Sequence, residues 1–148
     1  MDPDLLRTIS VESVMQKTPV LELSASKTFH EAEREIDAFN MEHVDSAIVH
    51  SYPVFEDGKY IGILDWSLAL QNIVSIEGSA SVLLVADCVS RSPLLPASSD
   101  LHTAMKFMLK HSLNEVYVKN SAGKIEGVLS TEVILDTYDR VVRESFKN

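Results

Sequence analysis

Two short apolar runs meet at an Asp-Gly pair in the stretch Pro53-Val54-Phe55-Glu56-Asp57-Gly58-Lys59-Tyr60-Ile61-Gly62-Ile63-Leu64. Asp-Gly favours a type I′ turn, because both central residues of that turn need a positive φ. The pair therefore predicts a β-hairpin with strands at about residues 52–55 and 60–65. Gly62 lies inside the second run, where a missing side chain indicates a bulge or a close approach by another backbone segment.

The same pattern returns in the second half of the chain, in Ala122-Gly123-Lys124-Ile125-Glu126-Gly127-Val128-Leu129. Both stretches keep the spacing Gly-Lys-x-x-Gly-aliphatic-Leu, and two such stretches in one register indicate an internal duplication. The segments before each hairpin repeat too, since Thr18-Pro19 corresponds to Ser92-Pro93. We predict a mixed α+β (α/β) fold made of two pseudo-symmetric β-α-β-β-α repeats.

The duplication sets the predicted boundaries along the chain. A lead-in covers residues 1–10, repeat 1 covers 11–76, repeat 2 covers 85–144, and a tail covers 145–148. Residues 77–84 are mostly small or polar at their start and predict a short linker. Each predicted sheet is too small to cover both of its faces, so we expect the repeats to pack into one module.

Capping residues mark the start of a helix in both repeats. Thr28 and Glu31 have the spacing of a capping box, and Asp100 stands at the corresponding cap position of repeat 2. Apolar residues then recur at helical spacing, which predicts one packed face on each helix. These residues are Phe29, Ala32, Ile36, Phe39, Leu101, Ala104, Met105 and Met108.

The remaining elements are predicted from shorter patterns. Residues 20–23 predict a strand and residues 67–76 a helix, whereas residues 41–50 have no counterpart in repeat 2 and predict either a helix extension or a loop. The last helix is predicted to start near Ser130 or Thr131. Its packed face is predicted to hold Ile134, Leu135, Tyr138, Val141 and Val142.

Composition narrows the class of protein. The chain has 148 residues, of which 45% are hydrophobic and 24% charged, as in a globular domain. No apolar run reaches the roughly 18 residues that a membrane-spanning helix needs, and the N-terminus lacks a signal-peptide pattern. We therefore expect a soluble cytoplasmic domain.

The charge argues against a nucleic-acid-binding protein, and the cysteine content excludes an internal disulfide. The net charge is −9 and Lys and Arg form no run, so the basic surface that nucleic-acid binding requires is missing. Cys88 is the only cysteine and cannot form an internal disulfide. We interpret it as a small core residue rather than a nucleophile.

Together these residues resemble a known family. Each half resembles the cystathionine-β-synthase (CBS) domain, and the two halves together resemble a tandem CBS, or Bateman, module over about residues 10–144. The segments that carry the resemblance are Val14-Met15, Thr18-Pro19-Val20, Thr28-Phe29-x-x-Ala32, Tyr52-Pro53-Val54-Phe55, residues 58–64, Cys88-Val89, Ser92-Pro93, Asp100-Leu101-x-x-Ala104, Val116-Tyr117-Val118 and residues 123–130.

The two ends of the chain carry a narrower resemblance. Residues 4–15 and 133–142 are similar to the entry and exit of the cytosolic CBS pair of CLC-type chloride channels and transporters. This resemblance implies the regulatory tail of a membrane protein whose transporter domain lies upstream in the same polypeptide. It also implies a homodimer of CBS pairs, formed through their helices.

The CBS resemblance implies a groove between the repeats that often takes an adenine nucleotide, here AMP, ADP or ATP. In the family, a Ser/Thr-x-x-Asp at the end of the third strand handles phosphate and ribose, because a carboxylate accepts both ribose hydroxyls and helix N-terminal N–H groups favour phosphate. The residues that the resemblance places at this groove are Thr18, Pro19, Val20, Tyr52, Pro53, Asp65, Ser92, Tyr117, Ser130 and Thr131.

This chain departs from the family pattern at the positions that would read the nucleotide. In repeat 1 the Ser/Thr position is Asp65 and the ribose position is Leu68; in repeat 2 Ser130 fits, but the ribose position is Val133. Leucine and valine cannot accept a ribose hydroxyl, and Asp65 would repel a phosphate unless a metal ion lay between them. The sequence therefore weakens the nucleotide-binding prediction.

Other residues with chemical potential favour structural roles. Glu42-His43 with Asp45 and His50 is too loose a cluster to predict a metal site, and a polar loop or helix face accounts for it. Trp66 could stack on a base, but packing is the commoner role for so large an apolar residue. No Ser/His/Asp or Cys/His pattern is present, so the sequence predicts no catalytic site.

Three functions from different classes remain open at this point. The one we favour is a non-catalytic regulatory module that dimerises and modulates a CLC-type transporter. The second is an adenine-nucleotide sensor, free-standing or attached to another protein. The third, an enzyme, has the least support because the sequence supplies no activated nucleophile or acid–base pair.

Overall fold

The computed structural model describes residues 1–44, 51–74 and 82–147. In chain order its elements are α1 (Pro3–Leu6), α2 (Val11–Val14), β1 (Leu23–Ser24), α3 (Phe29–Glu42), β2 (Ser51–Glu56), β3 (Lys59–Asp65), α4 (Trp66–Val74), a 3₁₀ turn (Val85–Cys88), β4 (Leu95–Pro96), α5 (Leu101–Lys110), β5 (Glu115–Lys119), β6 (Ile125–Ser130) and α6 (Thr131–Phe146). The predicted mixed α+β class and the duplicated order of elements are confirmed.

Two three-stranded sheets have the same topology. Their orders are β1-β2-β3 and β4-β5-β6, with the first pair of strands parallel and the second pair antiparallel in each sheet. The sheets belong to two compact units. Pro19–Pro93 forms the first-repeat unit, and Met1–Thr18 with Leu94–Asn148 forms the second-repeat unit.

The hairpin at Asp57-Gly58 forms as predicted. The φ angles of Asp57 and Gly58 are 50° and 77°, as a type I′ turn requires. Across the hairpin, Val54 pairs with Gly62 and Phe55 with Tyr60, so the register shifts between these pairs as in a β-bulge. In the second hairpin the connection is a loop in which Asn120 Oδ1 accepts the N–H groups of Ala122 and Lys124, both at 3.0 Å.

The predicted helix caps are present. Thr28 and Glu31 form a reciprocal capping box at the start of α3. Asp100 caps α5 by accepting the N–H of Thr103 at 2.7 Å, and Ser130 caps α6 by accepting the N–H of Val133 at 3.1 Å. Each cap satisfies a backbone donor that the helix itself leaves unpaired.

Each unit has its own hydrophobic core. The core of the first-repeat unit consists of Leu23, Ala25, Phe29, Ala32, Ile36, Tyr52, Val54, Leu64, Ala69 and Val85. The core of the second-repeat unit consists of Leu6, Val11, Met15, Leu95, Ala97, Leu101, Ala104, Met108, Val116, Val118, Leu129 and Ile134. These clusters confirm the buried face predicted for α3 and α5 except at Phe39, which is half-buried and belongs to neither core.

The first segment of each repeat pairs with the sheet of the other repeat. In the second-repeat unit, Gln16 forms an antiparallel bridge with Val128, and in the first-repeat unit Ser90 forms one with Ile63. Residues 11–18, which the duplication assigns to repeat 1, therefore pack in the unit that carries the helices and strands of repeat 2. The compact units and the sequence repeats divide the chain at different places.

Two local predictions are wrong. The strand predicted at residues 20–23 is instead Leu23–Ser24, which pairs only with Val54 and Phe55 of β2. On α6, Leu135 is 50% exposed, whereas Thr137 is 6% exposed. The reason is helical phase, because Thr137 lies three residues after the buried Ile134 and Leu135 is turned about 100° away from it.

Two predicted segments lie partly outside the described residues. Of residues 41–50, Met41 and Glu42 extend α3 and His43 is its C-cap, while 45–50 fall outside. Helix α4 ends at Val74, and residues 75–81, including most of the predicted linker, also fall outside. Within the described parts of the chain, no helix is long and apolar enough to cross a bilayer.

We expect Gly62→Ala to lower the free energy of unfolding by about 2–4 kcal/mol, because an added Cβ would overlap the carbonyl oxygen of Ser90 and the side chain of Val89. Its φ of 153° adds strain for any side chain. Urea unfolding measures the effect. The matched control is Gly58→Asn, where nothing lies within 4 Å of the added Cβ and the turn tolerates asparagine. Equal effects of the two substitutions would contradict the close approach.

Candidate functional site

A cavity of about 210 Å³ in the first-repeat unit contains two of the positions singled out in the sequence. Asp65, at the end of β3, and Leu68, in the first turn of α4, both line it. The other lining residues are Ala69, Asn72, Leu83, Asp87, Cys88 and Ser90. One side of the cavity is therefore helix α4, and the opposite side is the segment around the 3₁₀ turn.

Both carboxylates at this cavity cap the start of a helical turn. The N–H of Leu68 donates to Asp65 Oδ1 at 3.0 Å, and the N–H of Leu84 donates to Asp87 Oδ2 at 3.1 Å. The N–H of Leu68, one of the groups that could donate to a phosphate at the N-terminus of α4, thus already donates to an internal anion. An incoming phosphate would meet two negative charges instead.

The thiol of Cys88 is held in its neutral form. Burial raises the pKa of the Cys88 thiol, and the neighbouring carboxylate of Asp87 raises it further. Because the thiolate is the nucleophilic form, a raised pKa lowers the reactivity of this side chain at neutral pH. The structure therefore supports the interpretation of Cys88 as a packing residue.

The corresponding positions in the second-repeat unit are arranged differently. The neutral hydroxyl of Ser130 caps α6, and the N–H of Thr131 donates to the carbonyl oxygen of Asn114 at 2.9 Å. Val133, at the position where the family pattern has the ribose aspartate, packs against the core of this unit. This helix start has no acidic cap, but it also has no group that could bind ribose at position 133.

Other residues predicted at the groove are buried in a core or hydrogen-bonded within their own unit. Tyr52 belongs to the core of the first-repeat unit, and Tyr117 is buried in the second-repeat unit. The carbonyl oxygen of Ser92 accepts the hydroxyl of Tyr60. Burial raises the pKa of Tyr60 to about 12, so this hydroxyl remains a donor throughout the physiological range.

The predicted residues are only partly brought together. Of those in the first-repeat unit, Asp65 lines the cavity, whereas Pro19, Val20, Tyr52, Pro53 and Ser92 are not part of its lining. Thr18 belongs to the second-repeat unit, as do Tyr117, Ser130 and Thr131. The sequence analysis did not predict that Asp87 lines the cavity. The local sign was its position three residues after Leu84, whose N–H it accepts.

A larger cavity, of about 410 Å³, lies in the second-repeat unit and includes none of the predicted positions. It is formed around the loop of the second hairpin. Its lining consists of Glu12, Pro96, Ala97, Ser98, Lys119, Asn120, Ser121, Gly123 and Glu126. Two carboxylates and one ammonium group give it a mixed charge without a concentrated positive field.

Trp66 packs as predicted, and His43, predicted in a polar loop or helix face, lies at the C-terminal end of α3. Trp66 stacks on Phe29 with ring centroids 4.5 Å apart, and the ring of His43 lies 4.4 Å from that of Phe39. No group of three or more His, Cys, Asp or Glu side chains among the described residues could hold a metal ion. Asp45 and His50, the other members of the loose cluster, lie outside the described residues.

We expect Cys88 to react with iodoacetamide at pH 8 more slowly than the cysteine of an unstructured peptide, because its raised pKa lowers the thiolate fraction. Asp87→Asn removes a charge that raises this pKa and should increase the rate about two- to threefold. The matched control is Asp65→Asn, which lines the same cavity and should leave the rate unchanged. A faster reaction than the peptide would contradict the proposed environment.

No protein-family model and no curated protein matches the chain. Solved structures do match. A CBS domain-containing protein of unknown function from Bacillus anthracis str. Ames Ancestor superposes with a TM-score of 0.71 at 17% identity, over 94% of this chain and 99% of that one. The CBS domain of a bacterial CNNM/CorC family Mg²⁺ transporter in complex with ATP gives a TM-score of 0.67 at 15% identity, over 90% of each chain.

A third solved structure is the cytosolic domain of the Mg²⁺ channel MgtE in complex with ATP. It gives a TM-score of 0.68 at 14% identity, over 91% of this chain and 51% of that one. Identities this low carry information about the fold and not about the ligand or the partner. The chain has the fold of a tandem CBS-domain module.

Proposed function

We propose that this chain is a non-catalytic regulatory CBS-pair module joined to a membrane ion transporter. The observation that carries the proposal is the CBS-pair fold shared with a CNNM/CorC transporter domain and with the cytosolic domain of MgtE. In such an arrangement the module lies in the cytoplasm while the spanning helices belong to another part of the polypeptide. Its own role is to bias the conformation of the transporter.

The chemistry of the acidic residues supports a role without catalysis. Glu31, Asp65, Asp87 and Asp100 each hydrogen-bond the backbone at the start of a helical turn. Capping hydrogen bonds lower the pKa of Glu31 and of Asp100. A lowered pKa keeps a carboxylate ionised and makes it a weak general base at neutral pH, which suits a structural group better than a catalytic one.

The proposal leaves two points as predictions, namely which ion the transporter carries and whether the module forms a homodimer. The resemblance of the chain ends to CLC-type proteins favours chloride, whereas the transporters among the solved structures carry Mg²⁺. Chloride therefore stays a prediction. The homodimer also stays a prediction, and the half-exposed Leu68 on α4 and Leu135 on α6 are apolar positions that helix pairing would cover.

An antibody raised against this chain should detect a polypeptide longer than 148 residues in the membrane fraction of cells that express it, resistant to extraction at alkaline pH. Flux into vesicles containing that polypeptide, measured separately with chloride and with Mg²⁺, then identifies the ion. Flux should change in rate when the module is destabilised by Gly62→Ala and remain at wild-type rate with Gly58→Asn. A free 148-residue protein outside the membrane fraction would overturn the proposal.

A second candidate function is adenine-nucleotide sensing. Two of the similar solved structures contain ATP, and α6 starts with the neutral cap Ser130. Against it stand the acidic cap Asp65 and the apolar residues Leu68 and Val133 at the ribose positions. If a nucleotide binds, the neutral cap Ser130 favours the start of α6 over that of α4 for its phosphates, although the first turn of α6 also carries Glu132.

Thermal unfolding with AMP, ADP, ATP and S-adenosylmethionine tests this candidate. A ligand present at a hundred times its dissociation constant adds about 2.7 kcal/mol to the free energy of unfolding, which is a measurable rise in Tm. Thr131→Val should weaken nucleotide binding, and Asp65→Asn should leave it unchanged or strengthen it, because it removes a repelling charge. If none of the four compounds raises Tm, the chain is not an adenosine sensor.

A further inference from the structure

The first eighteen residues are built into the second-repeat unit. Leu6, Val11 and Met15 are 4%, 0% and 7% exposed, and all three belong to the core that contains Leu129 and Ile134. Ile9 and Val14 pack against the same core. Burial of this extent makes residues 1–18 part of the folded unit rather than an appended strap.

Backbone hydrogen bonds connect residues 1–18 to several elements of the unit. The N–H of Val11 donates to Ser99 O at 2.8 Å, and the N–H of Leu101 donates to Ile9 O at 2.9 Å. Gln16 and Val128 exchange hydrogen bonds of 2.8 and 2.9 Å. The segment is therefore tied both to the start of α5 and to strand β6.

The start of the chain is tied to the last helix as well. The N–H of Asp2 donates to the hydroxyl of Tyr138 on α6 at 2.7 Å. Gly127 allows the close approach on the other side, because a Cβ at this position would lie 2.7 Å from Gln16 O. Displacing residues 1–18 would break contacts with β6, α5 and α6 together.

We propose that residues 1–18 are a coupling arm, through which a restraint applied at the N-terminal side of the chain acts on the second-repeat unit. Coupling between two sites is reciprocal, so a mutation that lowers the stability of that unit also lowers the free energy needed to detach the arm, by the same coupling energy. The physiological meaning rests on the proposed function, in which a transporter domain precedes residue 1. The coupling itself is a property of this chain alone.

The duplication supplies matched variants for the test. Leu129 and Leu64 occupy the same position in the two sheets, and both are fully buried. Native-state hydrogen exchange on the full 148-residue chain reads the amides of Val11 and Gln16 in the arm. Leu129→Ala should speed their exchange about tenfold or more, and Leu64→Ala should leave it within about twofold of wild type.

The reciprocal test uses a second matched pair, Val11 and Val85, which are equivalent in the duplication and fully buried. Val11→Ala should speed exchange of the Val128 amide and not that of Ile63. Val85→Ala should do the opposite, although Val85 belongs to repeat 2 in the sequence. If either alanine variant fails to fold, Val11→Ile and Val85→Ile replace them, because an added methylene strains the same core without burying a polar group.

The outcomes separate the arm from the function it serves. Faster exchange of the arm after Leu64→Ala, or a Val11→Ala effect centred on Ile63, would overturn the coupling. If the exchange pattern is as expected but the polypeptide is not in the membrane fraction, the arm stands and the proposed transporter attachment falls. If the membrane result holds and the exchange pattern does not, only the arm is rejected.

Discussion

The first segment of each repeat pairs with the third strand of a sheet, and the rest of the structure depends on this pairing. Ser90 and Ile63 exchange backbone hydrogen bonds of 2.8 Å, and Gln16 and Val128 exchange bonds of 2.8 and 2.9 Å in the other unit. Neither approach leaves room for a Cβ on the neighbouring glycine, Gly62 or Gly127. The repeated glycine thus has a steric cause.

The cavity beside the first of these pairings shows how local stability and ligand chemistry compete. Asp65 and Asp87 satisfy helix-start donors that water or a ligand phosphate would otherwise satisfy. A carboxylate cap is favourable because it opposes the positive end of the helix dipole. The same two carboxylates place negative charge at the cavity, so the caps that stabilise these helix starts oppose the binding of an anion there.

Sequence reasoning succeeded where the signal is local. The turn at Asp57-Gly58 and the caps at Thr28 and Asp100 each depend on residues within a few positions of one another, and all three formed as predicted. The pairing of Gln16 with Val128 joins residues far apart in the chain. Both repeats begin with the same residue pattern, so the sequence does not indicate which sheet the first segment of each repeat joins.

The candidate site was predictable to a similar extent. The register of the first hairpin singled out Asp65 and Leu68, and both line one cavity because Asp65 ends β3 and Leu68 follows three residues later. It could not place Asp87, because the segment that carries this residue is held in the first-repeat unit by hydrogen bonds to residues distant in sequence, such as Ser90 to Ile63 and Val85 to Lys27. The burial of Thr137 in place of Leu135 was missed because helix phase outweighed the hydrophobicity of a single residue.

The first segment of repeat 1 packs in the unit that contains most of repeat 2. This arrangement also determines the order in which the chain can fold during synthesis. The first-repeat unit is continuous in sequence, from Pro19 to Pro93, so all of its contacts are available once residue 93 has left the ribosome. Residues 1–18 are synthesised before the first-repeat unit, yet their partners in β6 and α6 are synthesised after it. The apolar side chains of Leu6, Val11 and Met15 therefore lack their contacts with Leu129 and Ile134 until β6 and α6 are made, and the second-repeat unit is completed after the first.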